Sequence, residues 1–305
     1  MGARKPHVWI LTTGGTIASR RQGGMAKGSE VVSTVPEIAD IAKITQEEFC
    51  VVASSQMTPE MMFKLAKRAG EVLEQDDVDG VVITHGTDTM EETVYMLDLV
   101  VPGEKPVVIT GAMRIAEDLG ADGTRNIYAA VAVAACEEAK NRGAMLVLND
   151  EIHHAKYVQK VHSSNPAAFG SPGKGRMGEV HGSKPVFYWP QEPRTPVNAT
   201  ELVQPVDLFK VYAGMDDRLI KASINSGAKA IVLEVMGKGN IPKTILPGLE
   251  ACKQAGIPVV MVTRCAAGQV DIQRYEEAYG VVNGGEIAGV KVRICLGVLD
   301  KPCAS

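Results

Sequence analysis

A glycine-flanked hydroxyl near the start of the chain is the first feature that could do chemistry. The segment TTGGTIA at residues 12–18 places Thr16 directly after two glycines, at the end of an apolar run. Glycines permit a tight turn and a close approach by a ligand, so the Thr16 hydroxyl would be presented at the edge of a sheet. Taken alone, the loop favours a plain glycine turn in which Thr16 bonds to backbone groups. A phosphate cradle is a further alternative, but this loop matches neither GxGxxG nor GxxxxGK.

A second polar loop, THGTDTMEET at residues 84–93, also follows an apolar run and opens a helix. Thr87 and Asp88 place a hydroxyl beside a carboxylate near helix-start N–H groups, an arrangement that could hold a substrate ammonium and a developing oxyanion. Thr89 and Glu92 have the spacing of a capping box, which gives those two residues a structural explanation. His85 could be a base, but a lone histidine at a strand end favours a structural role.

Lys160 is the candidate proton acceptor, because a hydroxyl nucleophile is weak until an adjacent base activates it. A lysine in that role would have to be buried, with a lowered pKa. The alternative is an ordinary solvated surface charge, and spacing alone does not overturn it.

Ser55 and Gln56, in the segment SSQM at residues 54–57, supply neutral hydrogen-bond donors just before a second helix start. Such donors suit a small carboxylate. On the sequence alone the segment cannot be told from an ordinary loop at a helix N-terminus.

The elements that position these loops alternate between strand and helix. Short, continuous β-branched runs at 7–12, 80–84, 106–110 and 144–148 are typical of parallel strands buried on both faces. Between them, Thr58 and Pro59 predict a helix start, and an alanine-rich helix is expected at 126–139. The pattern predicts an α/β fold with a doubly wound, mostly parallel sheet, whose carboxyl strand ends carry the site.

The second half of the chain repeats this alternation after a stretch crowded with proline, which removes hydrogen-bond donors and fixes φ. Strands are predicted at 230–235 and 258–263, and helices at 216–226 and 244–255. We therefore predict a larger N-terminal catalytic α/β domain, a proline-rich linker and a smaller C-terminal α/β domain, at residues 1–190, 191–209 and 210–305.

Composition excludes several classes of function. The net charge of −4 disfavours a nucleic-acid partner, and no apolar run reaches the ~18 residues that span a bilayer. The start of the chain lacks the apolar core of a secretory signal. The six cysteines have no CxxC pairing or metal-type spacing, so reduced thiols, a cytoplasmic location and a site without metal are expected.

Two of these loops resemble the signatures of a known family. The segments TGGTIAS at 13–19 and THGTDTMEET at 84–93 are similar to the two signatures of the bacterial-type L-asparaginase/glutaminase family, in the same order. The resemblance continues through TGAMR at 110–114, LND at 148–150 and GKGN at 237–240, so it covers nearly the whole chain.

This resemblance implies an amidohydrolase that needs no cofactor. Thr16 would be the nucleophile that attacks the side-chain amide and forms an acyl-enzyme. Thr87, Asp88 and Lys160 would form a second polar group, in which Lys160 lowers the cost of taking a proton from Thr87 or from a bound water.

The resemblance also implies how the substrate is held. Asp88 would bind the α-ammonium, Ser55 and Gln56 the α-carboxylate, and the carbonyl of Ala112 would lie near the leaving amide. Asn240 resembles a residue that one subunit contributes to its neighbour's site, in a tetramer built as a dimer of intimate dimers.

The chain departs from the family pattern in the loop after Thr16, where the family carries a tyrosine and residues 20–30 have none. L-asparagine is the first expected substrate, and glutamine or a modified amide is the alternative. Arg20 and Arg21 suggest the hypothesis of a more anionic substrate. A non-catalytic binding protein for amino-acid-type molecules on the same scaffold is the alternative function.

Overall fold

The computed structural model describes residues 4–21, 23–191 and 194–299. The chain divides into two compact units, Met1–Pro196 and Val197–Ser305. Each unit has its own sheet and its own hydrophobic core. The expected architecture of a larger and a smaller α/β unit is therefore confirmed.

The N-terminal unit is built on an eight-stranded sheet with the order β10-β9-β6-β5-β4-β3-β1-β2. The five strands β1 to β5 run parallel, and β6, β9 and β10 complete the sheet in antiparallel pairs. A separate two-stranded sheet is formed by β7 and β8. The strands are β1 (His7–Gly14), β2 (Lys43–Val52), β3 (Gly80–Thr84), β4 (Val107–Thr110), β5 (Ala144–Leu148), β6 (Glu151–His154), β7 (Gln159–Lys160), β8 (Phe169–Gly170), β9 (Gly178–His181) and β10 (Lys184–Phe187).

In the described part of this unit, five helices pack against the sheet: α1 (Gly28–Ser33), α2 (Ile38–Ile41), α3 (Pro59–Leu73), α4 (Met90–Val100) and α5 (Gly123–Ala134). Helix α3 starts as the sequence predicts, because the Thr58 side chain accepts a hydrogen bond from Met61 N and Pro59 occupies the first turn. The alanine-rich helix differs from the predicted 126–139. It ends at Ala134 because Cys136 adopts an extended conformation, and a separate 3-10 turn follows.

The order of the parallel strands explains where a site can form. The chain moves from β1 outward to β2, then returns across β1 to β3 and continues to β4 and β5. The loops after β1 and β3 therefore leave the sheet at the point where the strand order reverses, and such a point opens a crevice at the carboxyl ends of the strands.

The crossover through α5 has the opposite hand to the crossover through α4. Helices α3 and α4 pack against each other, whereas α5 contacts α2. Ile127 of α5 shares a core cluster with Val31 and Ile38 from the first crossover. The chain steps from β3 to β4 and from β4 to β5 in the same direction across the sheet. Since α4 and α5 cover opposite faces, the two crossover connections that contain them must have opposite hands. Nearly all such connections share one hand, so this topology is unusual.

The C-terminal unit has four parallel strands in the order β11-β12-β13-β14. The strands are β11 (Val206–Lys210), β12 (Ala230–Val235), β13 (Val259–Thr263) and β14 (Val282–Asn283). The helices are α6 (Arg218–Asn225), α7 (Leu246–Ala255), α8 (Gln273–Tyr279) and α9 (Gly289–Val298). Gly256 ends α7 in the left-handed conformation at φ 66°, which suits a residue without a Cβ.

The linker assigned to residues 191–209 extends too far at its C-terminal end. Strand β11 begins at Val206 and pairs in parallel with β12, so most of this strand lies inside the predicted linker. Pro205 directly precedes the strand. A proline is tolerated at this position because the start of a strand does not need the N–H that proline lacks.

Within the described residues, no helix is both long enough and apolar enough to cross a membrane. Five of the six cysteines lie in the described part of the chain, and all five are free thiols: Cys50, Cys136, Cys252, Cys265 and Cys295. Cys303 lies outside the described residues.

Candidate active site

The loops after β1 and β3 meet through their glycines. A Cβ atom placed on Gly15 would lie 2.3 Å from Gly86 Cα, so the two backbones touch. Behind this contact, the Thr13 hydroxyl donates a hydrogen bond of 2.9 Å to the carbonyl of Thr84. Thr16 follows the first glycine and Thr87 follows the second, so the contact brings the two threonine-bearing segments together.

Thr16 begins a single 3-10 turn, Thr16–Ala18, directly after Gly15, whose φ is 84°. The turn is held by two hydrogen bonds of 3.0 Å to the Gly15 carbonyl, from Ala18 N and from the Ser19 hydroxyl. Ile17 is buried and Thr16 is half-buried. The Thr16 hydroxyl makes no hydrogen bond with any residue that the structure describes. The alternative of a plain glycine turn, in which this hydroxyl bonds to backbone groups, is therefore not observed.

Lys160 joins Thr87 and Asp88. Its Nζ donates to Thr87 Oγ1 at 2.9 Å and to Asp88 Oδ1 at 2.8 Å. The Lys160 side chain is only 16% exposed, whereas the Asp88 carboxylate is 64% exposed. The hydrogen bond from Lys160 lowers the pKa of Asp88, and the lysine's charge adds to this effect. The cluster thus presents a mostly buried ammonium, a buried hydroxyl and an exposed carboxylate.

Ser54 positions Asp88, a role that the sequence analysis missed. The Ser54 hydroxyl accepts from Asp88 N at 3.2 Å and donates to Asp88 Oδ2 at 3.4 Å. Its carbonyl accepts from the Thr89 hydroxyl at 2.9 Å. The predicted capping box of Thr89 and Glu92 is therefore wrong, since the Thr89 side chain makes no cap and bonds to Ser54 instead. No pattern in the sequence distinguishes Ser54 from Ser55. The structure does, because Ser54 is buried and Ser55 is exposed.

Ser55 and Gln56 follow Ser54 in one 3-10 turn and are both exposed. Gly86 approaches this turn so closely that a Cβ on it would lie 2.6 Å from Ser54 Oγ. The structure thus brings the predicted carboxylate-binding segment to the Thr87–Asp88 loop.

His85 is structural, as the sequence analysis favoured. Its ring is fully buried, with Nδ1 2.7 Å from the Gly86 carbonyl and Nε2 3.1 Å from the Thr93 hydroxyl. Burial lowers its pKa to about 4, because the charged form cannot be solvated there. A neutral ring bound on both sides braces the second loop against α4.

Ala112 lies in the loop after β4 and is buried. A second unpredicted residue, Asn126, holds this loop. Its Nδ2 donates to the Gly111 carbonyl at 2.9 Å, and its Oδ1 accepts from Asn149 N at 2.9 Å. Asn126 therefore ties together the loops after β4 and β5.

Asn240 belongs to the C-terminal unit, in a tight turn after β12. Its backbone N donates to the Met236 carbonyl at 2.9 Å, and its side-chain oxygen accepts from Arg274 Nη2 at 3.1 Å. The side chain is exposed.

The two loop arginines each face a carboxylate. Arg20 pairs with Glu30, and Arg21 pairs with Asp118 at 3.1 Å. Exposed pairs of this kind contribute roughly 0–1 kcal/mol, so they are not strong locks. Such weak pairs leave both arginines able to turn toward another anion, so the hypothesis of a more anionic substrate stays a prediction. Among the described residues, no group of three or more His, Cys, Asp or Glu side chains could hold a metal ion.

Comparisons with known proteins match both units. The family model for the N-terminal domain of asparaginase matches residues 7–193, and the model for the glutaminase/asparaginase C-terminal domain matches residues 205–300. L-asparaginase 2 of Bacillus subtilis is 37% identical over 87% of this chain and 74% of that protein. The glutaminase-asparaginase of Pseudomonas aeruginosa is 35% identical over 89% and 79%.

A solved structure gives the same result in three dimensions. The probable cytoplasmic L-asparaginase from Campylobacter jejuni superposes with a TM-score of 0.90 at 36% identity, covering 96% of this chain and 94% of that one.

We expect the low pKa of His85 to affect stability in acid. In the unfolded chain this histidine gains a proton near its ordinary pKa of 6.5, whereas in the folded protein it stays neutral down to about 4. The unfolded state therefore binds more protons in this window, and the free energy of unfolding falls as the pH drops from about 6.5 to about 4. Urea unfolding over this range should give a flatter pH dependence for His85→Gln. A His85 ring that titrates near its ordinary pKa by NMR would contradict this expectation.

Proposed function

The chain belongs to the asparaginase family of amidohydrolases, and on that premise we propose that it hydrolyses the side-chain carboxamide of L-asparagine, or of L-glutamine, to the acid and ammonia. The observation that carries this proposal is the contact of Lys160 with Thr87 and Asp88, beside the Thr16 loop. The comparisons offer nothing in favour of a non-catalytic binding protein.

Thr16 is the nucleophile in this proposal. Its oxygen attacks the amide carbon, the C–N bond breaks, and the hydroxyl proton leaves with the nitrogen as ammonia. Water then cleaves the acyl-enzyme ester, which releases the acid and restores the Thr16 hydroxyl. The half-buried position of Thr16 and its uncommitted hydroxyl support this role.

The pair Thr87 and Lys160 assists the proton transfers. Because Thr87 Oγ1 accepts from Lys160 Nζ, its own proton points elsewhere, toward a substrate atom or a water. The nearby ammonium lowers the cost of negative charge on the Thr87 oxygen or on a water bound to it. Residues 20–30 contain no tyrosine, so the activation of Thr16 falls to another group of the chain or to the substrate itself.

The amino-acid part of the substrate is held by charge complementarity. The exposed carboxylate of Asp88, kept ionised by Lys160, binds the α-ammonium. The exposed turn carrying Ser55 and Gln56 binds the α-carboxylate, and the Ala112 carbonyl accepts from the amide NH₂. The similarity to L-asparaginase 2 of Bacillus subtilis supports asparagine as the first substrate, and the similarity to the glutaminase-asparaginase of Pseudomonas aeruginosa supports glutamine as a second.

The assembly and location follow from the same family resemblance. We propose a cytoplasmic homotetramer, a dimer of intimate dimers, in which Asn240 of one subunit contributes to the site of another. The free thiols of the described cysteines and the cytoplasmic name of the Campylobacter jejuni protein support this location.

The first test of the proposal removes the nucleophile. We expect Thr16→Ala to abolish ammonia release from asparagine and glutamine while it keeps a melting temperature near that of the wild type, because Thr16 is only half-buried and its hydroxyl bonds to none of the described residues. Thr12→Val is the control in the preceding strand β1, since the Thr12 hydroxyl makes only a 3.5 Å contact with the Glu47 carbonyl. Ammonia release by Thr16→Ala at the wild-type rate would exclude Thr16 as the nucleophile.

A second test separates Lys160 from other lysines. Lys160→Met keeps the length of the side chain but loses the ammonium, and we expect kcat to fall by about 10²–10⁴-fold, the usual range for acid–base assistance. Lys156→Met is the control, because the Lys156 ammonium lies over the Tyr157 ring, 5.4 Å from its centroid, and not in the Thr87–Asp88–Lys160 cluster. Equal kcat values for the two variants would refute the assigned role.

A third test asks whether Asn240 acts between subunits. We expect Asn240→Ala to weaken activity, mainly through KM, and Thr16→Ala to be inactive. Co-refolding equal amounts of the two variants should make about half of the dimers mixed. Each mixed dimer has one site with both Thr16 and Asn240 and one site with neither, as two-fold symmetry requires, so about a quarter of wild-type activity should return. A mixture with only half the activity of Asn240→Ala would show that Asn240 does not act in trans.

A further inference from the structure

Lys160 depends on a very small element for its position. Strand β7 has two residues, and among the described residues its only strand partner is β8, where Lys160 lies opposite Phe169. This pair forms a sheet of its own, apart from the eight-stranded sheet. The hairpin must therefore be fixed to the main sheet by side chains if the ammonium is to stay between Thr87 and Asp88.

One anchor lies at the end of β8. Ser171 follows β8 directly, and its Oγ lies 3.0 Å from Nδ1 of His153 in β6. His153 Nε2 lies 3.1 Å from Glu151 Oε2, and the other oxygen of Glu151 accepts from Arg176 Nη1 at 2.8 Å. Ser171 and His153 are both buried, with 6% and 2% exposure.

The chemistry of these partners fixes the direction of the hydrogen bond between His153 and Glu151. An ionised carboxylate can only accept, so His153 Nε2 carries the ring proton and donates to Glu151. The hydrogen bond from His153 keeps the pKa of Glu151 low, which favours its ionised form. The other ring nitrogen, Nδ1, makes the hydrogen bond with the Ser171 hydroxyl. The chain of hydrogen bonds runs from Ser171 through His153 to Glu151. Such hydrogen bonds outside a site can hold the residues of the site in position.

A second anchor lies on the other side of the hairpin. The backbone N–H of Lys160 donates to Glu91 Oε1 at 3.3 Å, and Glu91 is in the first turn of α4, three residues after Asp88. The hairpin is thus held by α4 on one side and by the buried Ser171–His153 contact on the other.

We propose that His153 and Ser171 are positioning residues for Lys160, which hold the β7–β8 hairpin on β6 so that the ammonium meets Thr87 and Asp88. This inference rests on the proposed function for its kinetic consequence. Neither residue touches the cluster directly, so their effect on the reaction passes through the position of Lys160.

The test removes one hydroxyl. Ser171→Ala should lower kcat for ammonia release by about 10- to 100-fold, the effect of misplacing a catalytic group by a fraction of an ångström to about 1 Å. KM should change less, because Ser54 still orients Asp88. Ser171→Thr keeps a hydroxyl and should recover most of kcat. A purely structural role would lower the melting temperature without this selective loss of kcat and its rescue.

A readout independent of turnover follows Lys160 itself. Brief acetylation with acetic anhydride, analysed by mass spectrometry, measures the reactivity of Lys160 against Lys221 of the C-terminal unit. Its hydrogen bonds to Thr87 and Asp88 protect the Lys160 amine from the reagent. We therefore expect Lys160 to be acetylated several-fold faster in Ser171→Ala than in the wild type.

The matched control is Thr45→Ala, which removes the hydroxyl 2.8 Å from Nε2 of another buried histidine, His7. It should lower stability and leave both kcat and Lys160 labelling unchanged. If the wild type releases ammonia from no amide, the proposed function fails, and the labelling still decides whether Ser171 positions Lys160. Unchanged Lys160 labelling in Ser171→Ala, or increased labelling with wild-type kcat, overturns the inference.

Discussion

The close approach of Gly15 and Gly86 is the constraint on which the site depends. Two backbones can touch in this way only where neither residue carries a Cβ, since a Cβ on Gly15 would lie 2.3 Å from Gly86 Cα. The contact sits where the strand order reverses, between β1 and β3. It brings the Thr16 turn and the Thr87–Asp88 loop to one place, and every proposed step of catalysis uses both.

Around this contact, polar groups are fixed in layers. The exposed carboxylate of Asp88 is held by Lys160 on one oxygen and by Ser54 on the other. Lys160 is held in turn through its hairpin, whose neighbour Ser171 bonds to His153. Each buried polar group here has a partner, as the cost of leaving one unpaired requires. The substrate therefore meets groups that need little reorganisation.

Much of the fold could be predicted from the sequence because its signals are local. The buried strands Gly80–Thr84, Ala144–Leu148 and Ala230–Val235 were predicted to the residue from continuous β-branched runs. The start of α3 followed from Thr58 and Pro59. Predictions failed where distant contacts prevail over local preference: Thr89 bonds to the Ser54 carbonyl instead of capping α4, and Val206 pairs with β12 inside a proline-rich stretch.

By itself, the sequence determined the alternating α/β pattern, the loops that follow the strands, and the residue types Thr16, Thr87, Asp88 and Lys160 that can do amide chemistry. Local spacing could not place Lys160, which is separated from Asp88 by 72 positions and has the pattern of a surface lysine; only the family resemblance implied the group. Only the tertiary structure brought them together, because the hairpin carrying Lys160 is anchored by a histidine in a different sheet. It also decided that His85 is structural, since burial on all sides is a property of packing and not of a local pattern.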